Sequence, residues 1–182
     1  MNIVEGDTLL AVEGLGKPFK FMRFKCDDSL SKWWSNCGRY PDALKWVPNQ
    51  SIKVSGFSTF ACSESTNTSY DIQYEIRVND SIVIAKTPVR RSPPFEETYF
   101  CRIFLEEMVD VPANGALEIT VWIALSMAEN TYVNTYSGNN GESFTDLENE
   151  NKGLFKIESS SQSSNGTGTY SGHFPELYYY LN

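Results

Sequence analysis

The sequence predicts an all-β fold, an antiparallel β-sandwich with very little helix. Two observations carry that prediction. Apolar and polar residues alternate with a period of two in several segments, and polar turn clusters and long polar loops separate those segments. No long segment sustains a 3.6-residue period. Eight or more strands with turns between them are the pattern of two packed antiparallel sheets. At 182 residues the chain suits one domain, and its 41% hydrophobic and 14% aromatic content can fill a core.

Taken in order, residues 20–25 form the first strand candidate, and residues 29–35 are read as a turn or so of helix. Trp46 lies on a strand among apolar neighbours. Within 51–62, Ile52, Val54, Ser58, Phe60 and Cys62 share one face, and Gly56 marks a bulge or a close backbone approach. Tyr70, Ile72, Tyr74, Ile76 and Val78 alternate with Asp71, Gln73, Glu75 and Arg77, which describes a strand with one wet face. Asn79 and Asp80 then turn the chain into a strand over 82–86. Residues 87–97 read as a surface insertion holding Arg90, Arg91, Pro93 and Pro94. Strands follow over 99–106, 117–125 and 132–136. Residues 137–151 are a Gly/Asn-rich, then acidic loop, with a helical turn considered over 144–149. A strand over 154–158 leads to a Ser/Asn/Gly/Thr loop over 159–169, and the last strand runs over 176–181. That last strand, if it forms an unprotected edge, invites pairing with another chain.

The net charge of −8 argues against nucleic acid and anionic membrane as main partners, since both require a concentrated positive surface. Cys26, Cys37, Cys62 and Cys101 form no C-x-x-C pair, so they read as reduced thiols in or near the core rather than a metal set. No cofactor is expected. No apolar run reaches 18 residues, and the first ten residues carry Glu5 and Asp7 without a basic region or long apolar stretch. A cytoplasmic protein is the resulting expectation. The sequons at Asn49, Asn67, Asn79 and Asn165 are then coincidental.

The segment from Asn165 to Asn182 carries the most information. Asn165 and Gly166 suit positive φ, Gly168 and Gly172 allow further reversals, and Pro175 opens a tyrosine-rich strand. Further anchors precede it in order: Asp42-Ala-Leu-Lys-Trp46, Ile52-Lys-Val-Ser-Gly-Phe57, Tyr70-Asp-Ile-Gln-Tyr74, Tyr136-Ser-Gly-Asn-Asn-Gly141 and Phe155-Lys-Ile-Glu-Ser-Ser160. The set ends in Asn165-Gly-Thr167, Gly172 and Pro175-Glu-Leu-Tyr-Tyr179. This order resembles the PHR domain of Pam/Highwire-type ubiquitin ligases and of BTB-domain adaptor proteins, from about Phe19 to Tyr180. Gly172-His173 stands where that family usually shows Gly-Gln. The resemblance implies a β-sandwich recognition module that sits beside a RING-type region or a cullin-recruiting BTB domain, neither of which this chain contains. It would then not transfer ubiquitin itself. Residues 1–17 form an N-terminal extension and 18–182 the sandwich.

Candidate chemistry is sparse. His173 is the only histidine, with no nucleophile elbow in the sequence, so it reads as a loop histidine bonded to backbone. Glu142, Asp146, Glu148 and Glu150 lack the spacing of a calcium loop. Gly138-Asn-Asn-Gly141 lacks the Lys-Ser/Thr of a phosphate loop. Arg90-Arg91-Ser92-Pro93 is a candidate phosphorylation or docking segment within an insertion. Of the adjacent Trp33 and Trp34, one is expected to point inward and the other out, and Trp34 is the anchor candidate. Trp122 faces away from the apolar stripe of its strand.

The expected function is a non-catalytic protein-binding module, an adaptor for a partner or ubiquitination substrate, monomeric as an isolated domain. The partner-binding candidates are Trp34, Tyr40, Asp42, Tyr136, Asn139, Asn165 and His173, with no catalytic or metal-binding residue. Asp42 and Asn165 also suit a purely turn-capping role. The alternative is a carbohydrate-binding, lectin-like sandwich, in which aromatic rings stack on sugars and Asn, Asp and His bond hydroxyls.

Overall fold

The computed structural model describes residues 15–24, 30–63, 68–92, 99–129, 131–139, 141 and 153–182. Among these there are eleven strands and no helix: β1 (Phe19–Met22), β2 (Leu30–Asn36), β3 (Asp42–Pro48), β4 (Ile52–Phe60), β5 (Tyr70–Val78), β6 (Ser81–Arg91), β7 (Phe100–Val111), β8 (Leu117–Ala124), β9 (Val133–Gly138), β10 (Phe155–Ser159) and β11 (Glu176–Leu181). They form a four-stranded sheet β1-β11-β4-β7, a five-stranded sheet β10-β3-β8-β5-β6 and a separate ribbon β2-β9. Every pairing is antiparallel.

The core lies between the two sheets. β5 buries alternate residues, Tyr70, Ile72, Tyr74, Ile76 and Val78, as its period of two dictates. They meet Leu44 and Trp46 of β3, Leu117, Ile119, Val121 and Ile123 of β8, and Val54, Phe57, Leu177 and Tyr179 of the opposite sheet. Aromatic edges lock the seam: Phe57 meets Tyr74 at 5.5 Å, and Trp46 meets Phe174 at 5.4 Å, ring to ring. No described helix is long and apolar enough to cross a membrane.

Several local readings need correction. Residues 30–36 are β2, not a helical turn, because they pair with β9. The strand after the Asn79-Asp80 turn does not stop at residue 86. Residues 87–91 continue β6 and pair with β5 as far as Arg91↔Tyr70. Pro88 fits there because β6 is the sheet edge and its missing N–H costs no ladder bond. Glu176–Leu181 is not an edge, since β11 lies between β1 and β4. Leu125 falls outside β8 and is exposed. The single apolar face expected along 51–62 breaks at Gly56. Val54 pairs with Tyr179 and Gly56 with Tyr178, so Ser55 is an extra residue, and the core side passes from Val54 to Phe57. A Cβ on Gly56 would stand 2.7 Å from the Ile103 carbonyl oxygen, which is the close approach its position suggested. The hairpin at Asn79 (φ 50°) and Asp80 (φ 63°) has both central residues left-handed, as a two-residue primed turn requires.

The connections are sorted by length. Residues 49–51, 79–80 and 112–116 link strands at one end. The ladder ends Met22↔Glu176, Phe60↔Phe100, Tyr70↔Arg91, Asp71↔Ala124 and Ser159↔Leu44 gather the longer links at the other. The ribbon β2-β9 belongs to that second end, tied on by the isolated bridges Cys62↔Thr135 and Gly138↔Gly172. The helical turn considered for 144–149 and the thiol of Cys26 lie outside the described residues. Cys37, Cys62 and Cys101 are buried free thiols.

Candidate functional site

Under the long-loop end lies a buried polar cluster, assembled from segments far apart in sequence. Asp42 opens β3 and is 1% exposed. Its Oδ1 accepts from the Thr167 hydroxyl at 2.6 Å, and its Oδ2 accepts from the Asn165 amide at 3.0 Å. That amide also reaches the Ser35 carbonyl at 3.1 Å and Asn36 Oδ1 at 3.2 Å. The Pro41 carbonyl accepts from the amides of Ser164 and Asn165, so backbone and side chain fix the same loop.

His173 is fully buried beside this carboxylate. The Phe60 amide donates to its Nδ1 at 3.4 Å, so Nδ1 is the acceptor and Nε2 carries the proton. Nε2 then donates to Thr135 Oγ1, 3.1 Å away, with Asp42 Oδ2 at 3.8 Å. Thr135 also accepts from Asn36 Nδ2 at 3.0 Å and donates to the Trp34 carbonyl at 3.4 Å. Burial holds the His173 pKa below its ordinary value of 6.5; the Asp42 charge opposes that shift and Arg23 adds to it. The Asp-His-Thr sequence of contacts matches a hydrolytic triad in outline only. The proton runs from imidazole to hydroxyl, opposite to the direction in which a general base activates a nucleophile.

Arg23 anchors the other side of the loop. Its guanidinium is buried without a carboxylate among its bonded partners. It donates instead to the backbone oxygens of His173 at 2.5 Å, Ser171 at 3.2 Å and Gly168, and lies 4.5 Å from the Phe24 ring centre. Desolvation pulls its pKa down to about 9, while the three carbonyl acceptors favour the charged form. Gly172 (φ 109°) and Phe174 (φ 67°) flank His173 in left-handed conformations. A Cβ on Gly172 would stand 2.7 Å from Thr167 Cα, so only glycine lets the loop close here.

Four sequence-predicted residues, Trp34, Asp42, Asn165 and His173, therefore meet in one place. The Trp34 ring lies edge-on to His173 with centroids 6.4 Å apart, and its far edge would touch a Cβ on Gly166. Asp42 and His173 are buried too deeply to touch a partner directly, so their place is to hold the loop from beneath. Tyr40 is 48% exposed, one residue before Pro41. Asn139 follows β9 beside the Gly138↔Gly172 bridge and is half-buried. Tyr136 is half-buried farther along β9, 5.1 Å from the Tyr99 ring. The outward tryptophan of the pair is Trp33, 69% exposed, rather than Trp34. Trp33 has φ 76° and lies in the register shift between Ser31 and Trp34, which reverses the expected alternation. Sequence reasoning missed Asn36, Thr135, Thr167 and Arg23, because single polar residues in unrelated segments carry no spacing signal. It also missed the exposed rings of Tyr132 (69%) and Tyr170 (63%).

The family model described as the PHR domain matches residues 22–180, nearly the whole chain. The chain belongs to the PHR domain family. No curated protein matches it. The match runs from Met22, the last residue of β1, to Tyr180 in β11, so it takes in β2 to β10, nearly all of β11 and the whole buried cluster. Among the described residues no group of His, Cys, Asp and Glu is arranged to hold a metal ion.

Proposed function

We propose that this PHR domain is a non-catalytic protein-binding module that presents a partner, such as a ubiquitination substrate, to a ligase or adaptor assembly in the cytoplasm. One observation carries the reading. The long connections gather at one end of a rigid sandwich, where Trp33, Tyr40 and Tyr170 are exposed above a buried hydrogen-bonded cluster. A rigid base with exposed aromatics suits recognition, because few degrees of freedom are lost when the rings are covered.

The carbohydrate alternative loses one platform. Trp122, on the outer face of β8, has the Lys86 ammonium 3.8 Å from its ring centre, where a sugar ring would have to stack.

The test is affinity capture from lysate by the whole chain and by a Trp33→Ser/Tyr40→Ser/Tyr170→Ser variant of equal thermal stability. The captured protein is then purified and titrated against both forms. The expected result is a discrete partner whose Kd weakens at least tenfold in the variant. Equal affinity would move the site away from this end, and release by free sugars would favour the carbohydrate reading.

A further inference from the structure

We propose that Ser92 is a phosphorylation site and that its phosphate draws Arg90 away from Asp71, altering the turn that Asp71 holds. The acceptor is well presented. Ser92 is exposed and directly follows β6, the edge strand of the five-stranded sheet, whose last pair is Arg91↔Tyr70. An edge strand leaves one row of backbone groups unpaired, so residues 88–92 can lie extended in a kinase groove without unfolding the sheet. Pro93 follows in sequence and favours an extended backbone at Ser92. Arg90, two residues before it, has an exposed side chain, the kind of charge that acidic kinase grooves read.

In the transfer, Ser92 Oγ forms a bond to the γ-phosphorus of MgATP as the bond to the β,γ-bridging oxygen breaks. ADP leaves, and the hydroxyl proton passes to the kinase's base. The product places close to two negative charges two residues from Arg90. Arg90 now bonds Asp71 Oδ1, with a side chain 58% exposed and free to swing. Ser69 Oγ, 3.4 Å from Ser92 Oγ, offers the phosphate a further donor. The other carboxylate oxygen of Asp71 accepts from the Met127 amide at 3.0 Å, and Met127 Sδ packs where a Gly38 Cβ would stand. A change at Ser92 is thereby passed through Arg90 and Asp71 to the 125–129 turn beside the β2–β3 connection.

The whole chain is incubated with MgATP and, separately, an arginine-reading and a proline-reading kinase, with phosphate mapped by mass spectrometry. Stoichiometric labelling of Ser92 by either, absent in Ser92→Ala, is the expected result. No label at Ser92 from both would overturn the proposal, as would labelling of a 86–96 peptide but not the folded chain. The relay is read from the 1H–15N shift of Met127. Phosphorylation should move that peak in the wild type and leave it unmoved in Arg90→Ala. An unmoved peak in the phosphorylated wild type would overturn the relay.

Discussion

Thr167 Oγ1 donates to Asp42 Oδ1 at 2.6 Å and accepts from the backbone amide of His173 at 2.9 Å, so one hydroxyl couples the start of β3 to the last long loop. The carboxylate beneath it receives two side-chain donors in a site closed to water, where hydrogen bonds to a charge count most.

Asp42→Ala leaves Thr167 and Asn165 without that acceptor. Bonds to charged groups contribute about 1.5–3 kcal/mol each; the Thr167 hydroxyl loses its acceptor outright, whereas the Asn165 amide keeps the Ser35 carbonyl and Asn36 Oδ1. The expected loss is about 3 kcal/mol in urea unfolding, with an unchanged m-value. A loss under about 1 kcal/mol would show that the loop is held without help from the Asp42 carboxylate.

His173 gives a pH dependence of definite sign. Its folded pKa lies below 6.5, so the unfolded chain binds the proton more tightly. Stability from this group is present above pH 6.5 and is lost as pH falls through the folded value, with a slope of up to about 1.4 kcal/mol per unit. Urea midpoints at pH 7.5, 6.5 and 5.5 should fall for the wild type and flatten over that range in His173→Gln.

Gly172→Ala combines a left-handed backbone with a collision against Thr167. We expect a loss of about 3 kcal/mol or failure to fold. Gly16→Ala, also at a positive φ (73°) but with nothing within 4 Å, should cost only about 1 kcal/mol. Thermal unfolding of the two separates steric collision from backbone strain.

Trp33 holds a bulky side chain at φ 76° and leaves it in solvent. Trp33→Gly should therefore raise stability by about 1 kcal/mol while weakening partner binding. Opposite signs in calorimetric Tm and in Kd are the expected signature. Lower stability would mean that the ring packs on its neighbours more than its exposure indicates.

The sheets were legible where a single face is buried, as in Tyr70–Val78, because the alternation of β5 is imposed directly by the pleat. The reading faltered where a neighbour overrides the local pattern. Ser55 shifts the phase of β4, and an edge position makes Pro88 acceptable inside β6. Trp33 and Trp34 could be expected to split, but which faced out depended on a bulge with no marker in their own residues. In the cluster, Asp42, Asn165 and His173 stood out by residue type and loop position. Arg23 did not, because its partners are backbone oxygens 145 to 150 positions away, which no side-chain pattern encodes.

The place of β11 has a consequence for biosynthesis. The last of the eleven described strands lies inside the four-stranded sheet, between β1 and β4. Among the described strands β1 pairs only with β11, so during translation it waits for that neighbour until residues 176–181 have left the ribosome. Such long-range closure is slow, and it exposes the inner edges of β1 and β4 to other chains while synthesis continues. A nascent chain stalled before residue 176 would be a substrate for chaperones rather than a partly working binding domain.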